Sequence, residues 1–184
     1  MRSLLRGMTP SNRASHSARI REHLRQALPP SGVGEGEGDG ILAFLPFPTE
    51  PDLLPLLRSW QGAGRVVAVP RMVEDKIVPV DLPRDPSLLF PSPFPPPKGE
   101  ENGEGVSIPP SRLSMVLAPG LAFTREGVRL GRGGGHFDRF LAASDLPSWG
   151  VCFSNQVLEE IPTDPWDIPM RVLVTENGMQ PQTR

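Results

Sequence analysis

The residues best equipped for chemistry lie between Pro119 and Leu141. Five glycines fall in the span from Gly127 to Gly135, with Arg129 and Arg132 among them. Glycine lets a backbone approach a ligand closely and turn its N–H groups inward, and arginine offers a planar fork matched to phosphate or carboxylate oxygens. A glycine-rich turn that opens a helix is a place to hold an anion, so the stretch reads as a nucleotide phosphate site. The competing reading is a structural turn with surface arginines. Neither common nucleotide fingerprint is present: His136 takes the place of the last glycine of G-x-G-x-x-G in Gly131–His136, and no G-x-x-x-x-G-K-[ST] run exists.

Carboxylates are the next candidates. Asp138 falls three residues beyond Gly135, where it either complements the dipole of a following helix or reaches a divalent cation riding on phosphates. Magnesium is commonly held by one or two carboxylates plus phosphate oxygens and waters. Asp167, in the proline-framed turn Pro165-Trp166-Asp167-Ile168-Pro169 before a strand, is the candidate second ligand. Glu50 is either a first-turn acid of a helix or a ligand acceptor at the end of a strand, where open α/β sheets place their sites. His136 is a base, a stacking partner or neither. His16 and His23 are expected on a surface helix, so no histidine metal cluster is visible. Cys152, the single cysteine, sits in the apolar run Val151-Cys152-Phe153 and reads as buried filler.

The elements that must position these groups follow from periodicity. Residues 1–8 read as a short basic arm, with Arg2 and Arg6 four apart on one face of any helix there. Thr9-Pro10 gives an N-cap and a first-turn proline, and Ile20, Leu24, Ala27 and Leu28 form one apolar stripe ending before Pro29-Pro30. Residues 31–40 read as a flexible glycine- and acid-rich loop. Ile41–Leu45 looks like a buried strand. Thr49 and Asp52 have capping-box spacing ahead of a helix face at Leu53, Leu56, Leu57 and Trp60, stopped by Gly62 or Gly64. Val66–Val69 is a short strand closed by Pro70-Arg71; Ile77–Val80 is an edge strand, since Pro79 lacks a ladder donor. Residues 83–110, rich in proline, glycine and charge, form a long irregular excursion, which at that length is usually the wall of a ligand site or disordered. Met115–Ala118 feeds the glycine-rich stretch, and Phe137, Phe140 and Leu141 give the helix after it an apolar face. Trp149–Phe153 and Val172–Val174 supply further strands. Alternating strands and helices predict a three-layer α/β fold, a mostly parallel, Rossmann-like open sheet flanked by helices, in one domain over residues 1–184.

A chain of 184 residues is long enough for a real core. A net charge of −2 gives no reason to expect a nucleic-acid or membrane binder, and no apolar stretch approaches the ~20 residues of a membrane span. The basic N-terminus lacks the apolar region of a signal peptide, so a cytoplasmic location is expected; a monomer or weak homodimer is the expected state.

Taken together, Pro119-Gly120-Leu121-Ala122-Phe123 and Gly127-x-Arg129-Leu130-Gly131-Arg132-Gly133-x-Gly135-x-x-Asp138 resemble the signature of the 5-formyltetrahydrofolate cyclo-ligase (methenyltetrahydrofolate synthetase) family. Arg2-Ser3-Leu4-Leu5-Arg6 resembles its N-terminal K-x-x-L-R element, and Phe44-x-Pro46-x-x-Thr49-Glu50 its aromatic-x-Pro-x-x-Gly-Glu segment. Pro70-Arg71 recurs, and Trp166–Met170 through Thr175-Glu176 resembles the H-D-x-P-[LM] and T-E block. The resemblance implies ATP- and Mg2+-dependent closure of 5-formyltetrahydrofolate to 5,10-methenyltetrahydrofolate, releasing ADP and phosphate. In that reaction the formyl oxygen attacks the γ-phosphorus, N10 adds to the activated formyl carbon, and phosphate leaves. It further implies that Arg2, Arg6, Arg129, Arg132 and the backbone of Gly131, Gly133, Gly134 and Gly135 bind ATP phosphates, with Arg132 the catalytic charge. Asp138 and Asp167 match the magnesium positions, Glu50 the folate-contacting acid, and Phe47, His136 and Phe137 the substrate wall.

The chain departs from the pattern at several points. Arg2 replaces a lysine, His136-Phe137 replaces Tyr-Tyr in a chain with no tyrosine, Trp166 replaces a histidine, and Ser114 and Arg171 stand where acids are common. These departures leave a non-catalytic folate- or nucleotide-binding homologue as the alternative.

Overall fold

Strand runs apolar at every position can only be satisfied by a sheet covered on both faces, and that is the architecture found. The computed structural model describes residues 7–28, 38–85 and 105–182. In chain order the elements are α1 (Pro10–Ala27), β1 (Gly40–Leu42), α2 (Leu54–Gly62), β2 (Val67–Val73), β3 (Lys76–Asp81), β4 (Leu113–Ala118), β5 (Ala122–Thr124), β6 (Arg129–Leu130), α3 (His136–Ser144), β7 (Ser148–Val151), β8 (Val157–Leu158), β9 (Val172–Thr175) and β10 (Gly178–Pro181). Seven strands form one sheet in the order β10-β9-β7-β4-β1-β2-β3, and β6-β5-β8 form a small second sheet. The five inner strands β9, β7, β4, β1 and β2 run parallel, while β10 and β3 are antiparallel edges.

Period-two alternation sorts the core into two clusters. Ile41, Val67, Val69, Met115, Leu117, Val151 and Val174 face α1 and α2, meeting Ile20, Leu24, Leu53, Leu56, Leu57 and Trp60. Leu42, Ala68, Val116, Ala118, Cys152 and Leu173 face the other way, onto Phe123 of the small sheet and Phe140 and Leu141 of α3. The result is three layers, as the sequence predicts. Full burial of each Ile, Leu or Phe contributes about 1.5–3 kcal/mol.

The order of the parallel strands creates a crevice. From β1 the chain crosses through α2 to β2 on one side, then returns to lay β4 on the other side of β1. Loops leaving β1 and β4 therefore diverge and open a gap at the carboxyl ends of these neighbours, where ligands bind in open α/β sheets.

Local signals held where backbone chemistry is short-range. Thr9 is extended, its side chain accepts from the Asn12 N–H at 3.2 Å, and Pro10 occupies the first turn. Gly64, at φ +89°, follows the end of α2. Three expectations need correction. The Thr49–Asp52 capping box does not form: α2 starts at Leu54 with no side-chain cap, and Asp52 Oδ1 instead accepts from the Leu54 N–H at 3.0 Å. Pro51 is the reason, because the residue before a proline is pushed out of helical conformation. β2 does not close at Pro70 but runs to Val73, with Pro70 opposite Pro79 in the ladder; two residues lacking N–H groups lose nothing in a non-hydrogen-bonded pair. α1 lies on the surface as expected, with His16 and His23 half-buried on it and His16 Nδ1 3.2 Å from the Glu176 carboxylate. Finally, the end of the expected irregular excursion pairs with β3: the Asp81 N–H donates to Val106 O and the Ile108 N–H to Pro79 O. Residues 31–37 and 86–104 of the two expected loops lie outside the described residues, as do Arg2 and Arg6.

Candidate functional site

A cavity of about 310 Å³ opens in the crevice between β1 and β4. Its walls come from four places: the segment Phe44–Glu50 after β1, Pro70, Met72 and Ile77 of the β2–β3 hairpin, Pro119-Gly120 after β4, and Arg129 through Asp138. Phe47, Glu50, Arg129, Gly131, Arg132, Gly134, Gly135, His136, Phe137 and Asp138, all candidates on sequence grounds, line this one space. Gly133 is exposed on the loop, and Asp167 sits off the cavity.

Two ion pairs organise the walls. Glu50 is buried, its Oε2 accepting from the Phe47 N–H at 3.0 Å and its Oε1 from Arg132 Nη2 at 2.8 Å. Arg132 also lies over the Phe47 ring, 4.1 Å from the centroid. The Arg132 side chain is 41% exposed and Glu50 only 5%, so the arginine is the partner able to turn toward an incoming anion. The second pair is deeper. Arg129 Nη2 donates to Asp138 Oδ2 at 2.7 Å, with side-chain exposures of 4% and 12%. The Arg129 guanidinium also donates to Pro119 O at 3.4 Å and lies 5.6 Å from the Phe137 centroid. Its Nε is buried without a hydrogen-bond partner.

The glycine stretch folds differently from a simple turn. Ala122–Thr124 and Arg129–Leu130 pair as an antiparallel hairpin, which carries Arg129 inward; two-residue strands of this kind leave almost no periodic trace. Gly127, at φ +85°, turns that hairpin, and a Cβ there would stand 2.3 Å from Met170 O. Gly135, at φ +60°, is the N-cap of α3 and contributes no side-chain cap. The first-turn N–H groups of α3 are thus left to solvent or a ligand.

Asp138 faces the cavity from the first turn of α3. The second acid comes from a different direction. Asp167 Oδ2 accepts from the Asp164 N–H at 2.8 Å, closing the 164–167 turn, and the next N–H, of Ile168, lies 3.5 Å from Asp138 Oδ1. The fold therefore brings the Asp167 backbone next to Asp138 while each carboxylate has a protein partner. Among the described residues no group of three or more His, Cys, Asp or Glu is placed to hold an ion. A magnesium site here would be completed by ligand oxygens, consistent with that ion's preference for phosphates and water.

Gln156 carries no mark in the sequence. Buried in a 3-10 turn after β7, it donates through Nε2 to Gly120 O at 2.8 Å and accepts the Phe153 N–H at 2.8 Å. It thereby fixes the Pro119-Gly120 wall. Nothing local in Ser154-Asn155-Gln156 announces this, because the partner is 36 residues away. Cys152 is fully buried, and burial first, with the Glu176 charge second, pushes its thiol well above the usual range; it is filler, as expected. Among the described residues no helix is long and apolar enough to cross a membrane.

Known proteins resemble both the sequence and this geometry. The model of the 5-formyltetrahydrofolate cyclo-ligase family matches residues 1–176. A 5-formyltetrahydrofolate cyclo-ligase of Mycolicibacterium smegmatis is 31% identical over 196 residues, covering 97% of this chain and 95% of the relative. The NMR structure of Aquifex aeolicus 5,10-methenyltetrahydrofolate synthetase superposes with a TM-score of 0.77 at 27% identity, covering 100% of this chain and 91% of that one. A 5,10-methenyltetrahydrofolate synthetase from Mycoplasma pneumoniae shares the fold at a TM-score of 0.70 and 19% identity, covering 95% of each chain.

Proposed function

Because the chain belongs to the 5-formyltetrahydrofolate cyclo-ligase family, we propose that it closes 5-formyltetrahydrofolate to 5,10-methenyltetrahydrofolate in an ATP- and magnesium-dependent reaction that releases ADP and phosphate. The observation that carries this reading is the cavity at the β1/β4 switch point, with an aromatic and carboxylate wall on one side and an arginine- and glycine-rich wall on the other.

The formyl oxygen of an amide-like group is a poor leaving group, and phosphoryl transfer from ATP is what converts it into one. Such chemistry asks the protein for alignment and charge neutralisation rather than a covalent nucleophile. Phe47 and Glu50 form the folate side, an apolar face beside a buried acceptor held by the Phe47 N–H. Arg132, partly exposed and borne on the glycine loop, supplies positive charge where the transferred phosphoryl builds negative charge, and Arg129, paired with Asp138, adds a second guanidinium to the cavity wall. Asp138 and, after release of the Asp164 N–H, Asp167 are the carboxylates available to magnesium. Phe44, Pro46, Pro70, Met72 and Ile77 keep the reacting groups in an apolar, water-poor space.

The test is direct. The protein is incubated with 5-formyltetrahydrofolate, with and without MgATP, and methenyltetrahydrofolate absorbance is followed. Product that depends on both ATP and magnesium is expected; its absence across a range of temperature and pH sinks the reading.

A further inference from the structure

Arg139 has no part in the phosphate, folate or magnesium assignments, yet it is held by several groups at the edge of the cavity. It lies in the second turn of α3, near the end of the helix where the macrodipole disfavours a cation. Three contacts offset that. Its Nη1 donates to Gly134 O at 2.8 Å, its Nη2 donates to Asp75 O at 2.9 Å, and the same Nη2 lies 2.8 Å from His136 Nδ1. Asp75 belongs to the two-residue turn between β2 and β3, where Glu74 and Asp75 both adopt left-handed backbone, at φ +47° and +61°. Such turns favour Asn, Asp and Gly, so Glu74 is the unusual residue, and a conformation of this kind persists where its surroundings determine it. Here it directs the Asp75 carbonyl at Arg139.

The triangle bears on which imidazole nitrogen carries the proton, since both Arg139 Nη2 and Asp75 O stand at His136 Nδ1. Guanidinium groups only donate. A hydrogen bond from Arg139 Nη2 to His136 Nδ1 at 2.8 Å requires a lone pair on Nδ1, and that bond would leave the ring proton on Nε2. Asp75 O, 3.0 Å from the same Nδ1, already accepts from Arg139 Nη2 at 2.9 Å and in this arrangement needs no hydrogen from the ring. His136 lines the cavity with its ring lying across Gly134, and Nε2 has no hydrogen-bond partner among the described residues. We propose that His136 is an Nε2–H donor to an unprotonated oxygen of the cavity's occupant, and that Arg139 is the positioning residue which imposes that tautomer. Without Arg139, Nδ1–H donates to Asp75 O, Nε2 becomes an acceptor, and the donor is lost.

The oxygen belongs either to a phosphate or to the folate formyl group; this choice rests on the cyclo-ligase reading, while the tautomer does not. Two-bond 1H–15N correlation spectra of the full chain labelled with 15N-histidine distinguish the tautomers, His136→Ala identifying the resonances. The unliganded protein is expected to show the Nε2–H pattern; an Nδ1–H pattern overturns the proposal without any variant. Arg139→Met is expected to convert the pattern to Nδ1–H, and Arg139→Lys, which keeps a cationic donor, to preserve Nε2–H. If Arg139→Met leaves the tautomer unchanged, Arg139 does not impose it. MgATP and 5-formyltetrahydrofolate added separately show which oxygen is met, and an Nε2 resonance that moves with neither overturns the donor role. In turnover, loss of a hydrogen bond to a charged oxygen is worth about tenfold or more, so Arg139→Met is expected to lower kcat/KM by that factor. The same substitution in a His136→Ala background is expected to add little. A full additional loss there would make Arg139 a loop tether acting through Gly134 alone. A chain with the expected tautomers and ligand shifts but no turnover would place the failure in the cyclo-ligase reading.

Discussion

Asp138→Asn separates the observed role of this carboxylate, as partner of Arg129, from the magnesium role proposed for it. The Arg129–Asp138 pair is at 2.7 Å with 4% and 12% of its side chains exposed, so solvent screening is small. Breaking a buried pair by removing one partner costs about 3–5 kcal/mol. The amide oxygen introduced by the substitution still accepts one N–H from Arg129, which restores about 1 kcal/mol. The expected net loss is about 2–4 kcal/mol, or roughly 1–2 M in the urea midpoint at a slope of about 2 kcal/mol per molar. Under conditions where the variant remains folded, magnesium titration of the cyclisation reaction reads the second role. A site supplying only one or two carboxylates to magnesium cannot lose a charge cheaply, so half-saturation is expected to rise about tenfold or more. Stability lost with an unchanged magnesium titration would make Asp138 solely the partner of Arg129 and would remove it from the metal set. An unmoved urea midpoint would mean that the pair does not form as described.

Arg132→Ala is expected to lower kcat by about 10²–10³ by removing positive charge at a developing phosphoryl oxyanion; normal turnover would overturn the phosphate role of the glycine loop. Gly127→Ala should destabilise by about 3 kcal/mol, from left-handed backbone strain and from a Cβ that would stand 2.3 Å from Met170 O, whose own N–H donates to Gly127 O at 2.8 Å. A thermal midpoint lowered by roughly 6–12 °C is the expected reading. Gly62→Ala is the contrast: it lies at the end of α2 with nothing within 4 Å of a built Cβ, so a gain of about 0.4–1 kcal/mol is expected in the same melt. Cys152, whose thiol burial holds protonated, should resist a disulfide reagent at pH 8 in the native protein and react stoichiometrically in denaturant; rapid native labelling would contradict its burial.

The sequence by itself determined what depends on short stretches of chain. Thr9-Pro10 sets the start of α1, Gly64 follows the end of α2, Pro79 marks an edge strand, and the apolar runs at 66–69 and 115–118 mark buried strands, while the run expected as a strand over 41–45 forms one only as far as Leu42. Each follows from backbone chemistry acting over a few residues. The glycine and arginine spacing from Gly127 to Gly135 likewise identified the loop, with Glu50 and Asp138 beside it as candidates. The capping box failed for an equally local reason, since Pro51 outweighed the Thr49–Asp52 spacing.

The partners of these groups were decided by the tertiary structure. Glu50 meets Arg132 across 82 positions, Gln156 meets Gly120 across 36, and the Asp75 carbonyl reaches Arg139 across 64. Such distances collapse only when β4 is laid beside β1 and the β2–β3 hairpin folds against α3, and no local periodicity encodes either event. The ambiguity between helix-dipole acid and metal ligand at Asp138, or between base and bystander at His136, is an ambiguity of partners. The fold supplies a protein partner for each: Arg129 at the Asp138 carboxylate and Arg139 at a His136 ring nitrogen.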